Sequence, residues 1–210
     1  MTALLDPFYP IVPDAAFAAR LVPQGVKLIQ LRIKNAPQDQ IARDIAATLE
    51  LCRCYGCRLV VNDYWREAIR LGAGFVHLGQ EDLAAADLPA IKQAGLQLGI
   101  STHDRDELAI ALAAQPDYVA LGPIFETTLK KMAAGPQGLG RIVEWKSLIS
   151  CPLVAIGGIT LDKAGFVLAA GADSVSVITD IVAQADPEAR TRDFLAATAP
   201  WRMKTPDAVG

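Results

Sequence analysis

A short apolar run rich in β-branched residues recurs eight times along this chain, and no other feature constrains the fold as strongly. Most runs end in a polar residue or a glycine, and they begin about 24 residues apart, the length of one strand followed by one helix. Eight such units predict an α/β fold, a single (β/α)8 barrel of the TIM type, with a doubly wound open sheet as the alternative. The runs are Phe8–Val12, Leu28–Arg32, Leu59–Asp63, Phe75–Gly79, Leu98–Thr102, Tyr118–Gly122, Leu153–Gly157 and Val175–Thr179.

The segments between the runs are rich in alanine and have the periodicity of helices. In the clearest of them, apolar residues fall on one face at spacings of three and four. This pattern predicts an amphipathic helix that packs one face on the sheet. The residues of that face are Ile41, Ile45, Leu49 and Cys52.

The length and composition of the chain fit one compact domain. Its 210 residues are near the lower size limit of a barrel of this kind, and 52% of them are hydrophobic, enough for a large core. No internal linker is evident, so we expect a single barrel domain over residues 1–197. Residues 198–210 carry two prolines and little periodicity, which is typical of a flexible tail.

Charge and hydropathy limit the classes of partner. With 20 Lys and Arg against 23 Asp and Glu, the net charge of −3 offers no broad cationic surface, so nucleic acid is not expected as a partner. The first residues have no basic start, and Asp6, Pro7 and Pro10 interrupt them, so we expect a cytoplasmic protein without an export signal. The apolar stretch Leu108–Phe125 is divided by a turn signal at Gln115–Asp117, and no membrane span is expected. A homo-oligomer is compatible with the sequence, which does not fix the oligomeric state.

The cysteines and histidines do not form an obvious nucleophilic or metal-binding set. Cys52 and Cys54 would point in different directions on a helix, and with Cys57 they lack a fourth ligand, so we interpret all three as structural. His77 lies inside an apolar strand, which indicates a packed, hydrogen-bonded residue rather than a base. His103 precedes a helix, where a capping role explains it as well as a chemical one.

In a parallel barrel, chemistry belongs at the carboxyl ends of the strands, where the following loops converge. Gln30, Arg32 and Lys34 alternate along the end of the second run, so an extended chain would point all three to one side. Arginine and lysine together are suited to a diphosphate. The alternative is that the two cations are solvated charges in a loop.

Two carboxylates end neighbouring runs. Asp63 closes the third run, and Asp82 follows the fourth, so their oxygens would approach one another at the barrel mouth. Oxygen ligands of this kind suit Mg²⁺, which keeps several waters and completes its shell with substrate phosphate. Helix capping is the alternative for either residue.

Phosphate binding is predicted at the ends of the last two strands. Gly158 belongs to a glycine pair after the seventh run, and Ile178 and Thr179 close the eighth run. The glycine pair alone would be consistent with a tight turn. Thr127, Thr128 and Lys130 lie in a long connection that could cover the mouth; the alternative is a solvated basic turn.

In this order along the chain, the motifs resemble the thiamine phosphate synthase family, barrel transferases that join a hydroxymethylpyrimidine diphosphate to a thiazole phosphate. The resemblance runs from Tyr9 to about Ile181. Each motif alone is weak, but the ordered set is specific. The motifs are Gln30–Lys34, Val61–Asp63, Val76–Asp82, Gly99–His103, Gly122–Lys130, Ala155–Ile159 and Gly171–Asp173.

The resemblance implies a Mg²⁺-dependent, dissociative transfer that releases pyrophosphate, with the thiazole phosphate or its carboxylated form as acceptor. It implies that Asp63 and Asp82 hold the metal and that Arg32, Ser101 and Lys130 act in catalysis. It implies that Gln30, Arg32, Lys34, Asn62, Ser101 and Lys130 hold the pyrimidine diphosphate, and that Thr127, Thr128, Gly158, Ile178 and Thr179 hold the thiazole phosphate.

Two other functions remain open from the sequence. A related thiazole tautomerase would use the thiazole phosphate site without the cation and carboxylate set, and a non-catalytic barrel would bind the product without turnover. The chain also departs from the family's usual pattern at Glu126 and Leu129, and the second departure removes a hydroxyl group expected near the thiazole phosphate.

Overall fold

The computed structural model describes residues 5–127 and 135–202 as a closed barrel of eight parallel strands. Each strand pairs with the next one along the chain, and the eighth pairs with the first, where Tyr9 lies opposite Ser176. The prediction of a TIM barrel is confirmed, and the open-sheet alternative is wrong because the two end strands are joined by a ladder of hydrogen bonds.

Strands and helices alternate around this barrel. The strands are β1 Phe8–Val12, β2 Leu28–Leu31, β3 Arg58–Asn62, β4 Phe75–Leu78, β5 Gln97–Thr102, β6 Tyr118–Leu121, β7 Leu153–Ile156 and β8 Ser174–Val177. The helices are α1 Ala15–Leu21, α2 Gln38–Tyr55, α3 Trp65–Leu71, α4 Gln80–Ala85, α5 Leu88–Gln93, α6 Arg105–Ala113, α7 Gly138–Leu148, α8 Leu161–Ala169, α9 Thr179–Val182 and α10 Pro187–Thr198.

The hydrophobic core has two parts, because successive side chains of a strand point to opposite faces of the sheet. One part lies between the sheet and the surrounding helices; there Phe8 of β1 stacks on Phe194 of α10 with ring centroids 5.1 Å apart. The other part is a smaller cluster inside the barrel, which includes Tyr9 and Tyr118. The barrel interior is therefore packed with side chains below its mouth.

Helix α2 shows how the sequence pattern sets the outer layer. The four residues that the sequence placed on one face are all buried, and Gly56 ends the helix in the left-handed region with φ of 60°. The apolar stretch that contains the signal Gln115–Asp117 is divided, as predicted, between α6 and β6. None of the helices in residues 5–127 and 135–202 is long and apolar enough to span a membrane.

The expected tail begins too early. Thr198 is the last residue of α10, fully buried, and its hydroxyl group donates to the Phe194 carbonyl at 2.8 Å. The Arg202 guanidinium then pairs with Asp6 at 2.9 Å, joining this end of the fold to the segment before β1. The two prolines in residues 198–210 therefore did not mark the end of the folded domain. Residues 203–210 lie outside the described part of the chain.

The interior packing gives a direct test of the fold. Gly99 of β5 lies against the ring of Tyr118, and a methyl group at this position would overlap the ring atoms. We expect Gly99→Ala to lower the free energy of unfolding by roughly 1–3 kcal/mol. Gly74→Ala is the matched control, since a methyl group there meets nothing within 4 Å. Urea unfolding of both variants measures the effect, and equal stabilities would contradict it.

Candidate active site

A cavity of about 510 Å³ opens at the carboxyl ends of the strands. Its wall contains residues from each strand or from the loop that follows it, as the barrel geometry requires. Gly158 and Thr179 are not in this wall, although their neighbours Gly157 and Ile178 are. Thr128 and Lys130 lie outside the described residues. The sequence-predicted residues that the cavity brings together are Gln30, Arg32, Lys34, Asn62, Asp63, Asp82, Ser101, Thr127 and Ile178.

The end of β2 supplies the cations of the cavity. Gln30 is buried, Arg32 and Lys34 are exposed and line the cavity, and Ile33 between them is buried in the outer core. This alternation is that of an extended chain, and the backbone N–H of Arg32 continues it by donating to the Val12 carbonyl at 2.9 Å. Both cationic side chains are thus on the cavity side, as the spacing predicted.

Asp63 and Asp82 meet at the mouth. Asp63 follows β3 with a positive φ of 65°, and its backbone N–H donates to the His77 carbonyl at 2.9 Å. Lys34 Nζ donates to Asp63 Oδ2 at 3.1 Å. Partial desolvation raises the pKa of Asp82, and the charge of Asp63 and a hydrogen bond with it raise that pKa further. The two carboxyl groups therefore repel each other when both are ionised.

This repulsion between Asp63 and Asp82 favours the binding of a divalent cation between them. Two carboxylates in contact offer hard oxygen ligands, and a cation between them would remove their repulsion. Among residues 5–127 and 135–202 there is no group of three or more Asp, Glu, His or Cys side chains placed to hold a metal. Two protein oxygens suit Mg²⁺, which takes its other ligands from water and substrate phosphate.

The glycine pair after β7 is required by packing. Gly157 and Gly158 have φ of 96° and 66°, and a methyl group on Gly157 would lie 2.6 Å from the Cα atom of Pro123. The loop after β6 crosses the pair closely, with the Phe125 N–H donating to the Gly157 carbonyl at 3.0 Å. The tight-turn alternative is therefore part of the explanation, and the pair also brings this loop to the cavity edge.

A row of buried hydrogen bonds crosses the barrel below the cavity, and sequence reasoning missed its two tyrosines and the bonds that connect the row. Gln30 Nε2 donates to the Tyr9 hydroxyl at 2.8 Å, which bonds the Tyr118 hydroxyl at 3.0 Å. His77 Nδ1 lies 2.9 Å from the Tyr118 hydroxyl, and His77 Nε2 lies 2.9 Å from Ser101 Oγ. We call these five residues the interior row. His77 is hydrogen-bonded and buried, as predicted.

The groups of the interior row are uncharged near neutral pH. Burial lowers the pKa of His77 from 6.5 to about 4, partly offset by the charge of Asp63. Burial also raises the pKa of Tyr9 and of Tyr118 well above the usual value of 10. Beside the row, Ser176 Oγ is buried in the cavity wall and has no hydrogen-bond partner among the described residues.

The remaining candidates occupy structural positions. Cys52 and Cys57 are buried and Cys54 is exposed, so the first two belong to the core under α2. His103 Nδ1 lies 2.6 Å from Glu107 Oε2 at the start of α6, and His103 also borders the cavity. Capping of α6 is supplied by Asp104, whose carboxylate accepts from the Glu107 N–H at 2.8 Å.

The buried imidazole predicts a pH-dependent stability. The unfolded chain takes up a proton at His77 near pH 6.5, whereas the folded protein does so only near pH 4, so stability falls as the pH drops through this window. The contribution is of order 3 kcal/mol. Urea unfolding at pH 7 and pH 4.5, without divalent metal, should show a smaller pH difference for His77→Gln than for the unaltered protein. Equal differences would contradict the assignment.

Comparisons with known proteins agree with the geometry. A family model described as thiamine monophosphate synthase matches residues 9–181. A Rhizobium etli protein named thiamine-phosphate synthase is 58% identical over 199 residues, covering 94% of this chain and 98% of that one. A Yersinia pestis protein of the same name is 49% identical over 188 residues, covering 89% and 87%. A solved thiamine phosphate pyrophosphorylase from Pyrococcus furiosus is similar in structure with a TM-score of 0.83 at 27% identity, covering 94% and 98%.

Proposed function

Because this chain belongs to the thiamine monophosphate synthase family, we propose that its cavity joins a hydroxymethylpyrimidine diphosphate to a thiazole phosphate and releases pyrophosphate. The chain is an enzyme, as its relatives named thiamine-phosphate synthase are. The observation that carries the proposal is the meeting of two cations and two carboxylates, Arg32, Lys34, Asp63 and Asp82, in one cavity wall.

The diphosphate would lie against the end of β2. Arg32 offers a planar fork of donors and Lys34 a mobile point charge, and both face the cavity. Lys34 pairs with Asp63 and is half exposed, so it can turn from the carboxylate toward a phosphate oxygen at little cost. Lys130, outside the described residues, is proposed to join them from the connection between β6 and α7.

Asp63 and Asp82 would hold Mg²⁺. When bound, the metal neutralises charge on the diphosphate and so favours its departure. Asp63 is held for this role by its backbone bond to β4, and Asp82 lies in the first turn of α4, the helix that follows β4. The electrostatic cost of placing the two carboxylates together fits a site that is completed by a cation.

The chemistry we propose needs no covalent nucleophile from the protein. The bond between the pyrimidine methylene carbon and the diphosphate oxygen breaks first, and the diphosphate leaves with the electron pair. The aminopyrimidine stabilises the resulting cation until the thiazole nitrogen forms the new carbon–nitrogen bond. The protein binds the leaving group, orients both substrates and excludes water, which makes electrostatic preorganisation the main source of rate enhancement.

The thiazole phosphate would bind on the opposite side, at the ends of β6, β7 and β8. Thr127 and Ile178 border the cavity there, and Gly158 and Thr179 follow the wall residues Gly157 and Ile178. Thr128, outside the described residues, is proposed as a further contact. Carboxylated and uncarboxylated thiazole phosphates are both proposed as acceptors, and the carboxylated form would lose its carboxyl group as carbon dioxide to give the same product.

Pyrophosphate release tests the proposed function. With both substrates and Mg²⁺ we expect one pyrophosphate for each thiamine phosphate formed, and none when the metal is chelated. A tautomerase would release no pyrophosphate, and a binding protein would retain thiamine phosphate without turnover. Either result would overturn the proposal.

The role of the carboxylate pair is tested by Asp63→Asn. Asparagine tolerates the positive φ at this position, so the fold should be retained while the ligand charge is lost. We expect turnover to fall by about a hundredfold or more, with a higher requirement for Mg²⁺. Asp39→Asn is the matched control, because Asp39 lies on α2 and forms an exposed ion pair with Arg43. Equal loss in both variants, or none in Asp63→Asn, would contradict the assignment.

A further inference from the structure

The direction of the interior row follows from its first donor and from the chemistry of the groups that it connects. Its first donor is the amide nitrogen Nε2 of Gln30, which can only donate a hydrogen bond. The Tyr9 oxygen accepts that bond, so the Tyr9 hydroxyl proton is directed to the Tyr118 oxygen, 3.0 Å away. The Tyr118 proton is then directed to His77 Nδ1.

The rest of the row follows from the chemistry of imidazole. A neutral imidazole that accepts at Nδ1 carries its proton on Nε2. His77 Nε2 therefore donates to Ser101 Oγ at 2.9 Å. Because Ser101 Oγ accepts this bond, the serine hydroxyl proton is left for a partner in the cavity that Ser101 lines.

The opposite direction leaves a buried donor unsatisfied. If Ser101 donated to His77, the Tyr118 proton would point to Tyr9, whose oxygen already accepts from Gln30. The Tyr9 hydroxyl proton would then have no acceptor among the described hydrogen bonds, in a residue that is 1% exposed. Leaving a buried donor unpaired costs about 1–3 kcal/mol, so the first direction is favoured.

Packing holds the rings of the row in place. The His77 and Tyr118 rings are stacked with centroids 5.6 Å apart, and the Tyr9 ring meets Tyr118 edge-on at 6.2 Å. Gly99, which has no side chain, makes the space that the Tyr118 ring fills. The row is therefore built into the barrel interior and does not depend on a mobile loop.

We propose that Tyr9, Tyr118 and His77 are positioning residues that hold Ser101 as a hydrogen-bond donor toward an acceptor atom of the pyrimidine diphosphate. This inference rests on the proposed function for the identity of the substrate. A serine that is held as a donor suits a substrate whose diphosphate and ring nitrogens present lone pairs. A serine that donated its proton to His77 would instead present only an oxygen to those lone pairs.

The direction is measurable without any activity. The chain has two histidines, so the imidazole nitrogens of ¹⁵N-histidine-labelled protein give two sets of signals, and His103→Gln assigns them. At pH 7, without substrate or metal, we expect His77 to be neutral with the proton on Nε2. A proton on Nδ1, or an imidazolium, would overturn the proposal even if the enzyme makes thiamine phosphate.

The coupling to Ser101 is tested by a double-mutant cycle on turnover. Tyr118→Phe keeps the ring and removes the donor to His77, and we expect kcat to fall about tenfold with a smaller change in KM for the pyrimidine diphosphate. In a Ser101→Ala background the same change should cost nothing further, since the row acts through Ser101. Tyr55→Phe, on the exposed surface of α2, is the matched control.

Two kinetic results would overturn the coupling. One is an undiminished kcat in Tyr118→Phe, and the other is an equal loss in the presence and absence of the Ser101 hydroxyl, which a purely structural role would give. If Tyr118→Phe fails to fold, Tyr9→Phe is tested in the same cycle. Failure of the proposed function would appear separately, as an absence of pyrophosphate release by the unaltered protein.

Discussion

Closure of the sheet between β1 and β8 is the constraint on which the rest of this structure depends. It places Tyr9 beside Ser176 and turns alternate side chains of every strand toward a shared interior. The polar residues at the strand ends then have one common opening, so charges that are far apart in sequence share a cavity. An open sheet would leave β1 and β8 at opposite edges, and Tyr9 could not lie across the interior from Tyr118.

The cavity has a charged rim and an uncharged floor. We call Arg32, Lys34, Asp63 and Asp82 the rim, and the interior row below them the floor. At the rim, Lys34 and Asp63 form an ion pair, and burial and Asp63 raise the pKa of Asp82 against the lowering effect of the Lys34 charge. On the floor, desolvation keeps His77 neutral, since its pKa is lowered to about 4. The division follows from water access, because exposed ion pairs exchange partners at small cost while buried charges do not persist without a partner.

The sequence predicted the barrel and the rim because both leave local signals. Strands recur at a regular spacing, and Arg32 and Asp63 stand at strand ends where polarity breaks an apolar run. The floor left weaker signals: Tyr9 and Tyr118 lie within apolar runs and read as packing residues until their hydroxyl partners are known. A tyrosine at an inward position of a barrel strand is the available clue, since a buried phenol requires a hydrogen-bond partner. The predicted start of the flexible tail at residue 198 was wrong for a related reason, because the burial of Thr198 depends on contacts with residues that are distant in sequence.

An uncharged floor also suits the proposed departure of the diphosphate before the new bond forms. A cation on the pyrimidine would be repelled by a protonated His77 beneath it, whereas a neutral imidazole that donates to Ser101 adds no charge. The positive groups are instead at the rim, where the proposed function would place the leaving diphosphate against Arg32 and Lys34. In the proposed reaction the interior row would therefore supply a hydrogen bond through Ser101 without supplying a charge, while Arg32 and Lys34 would stabilise the leaving diphosphate.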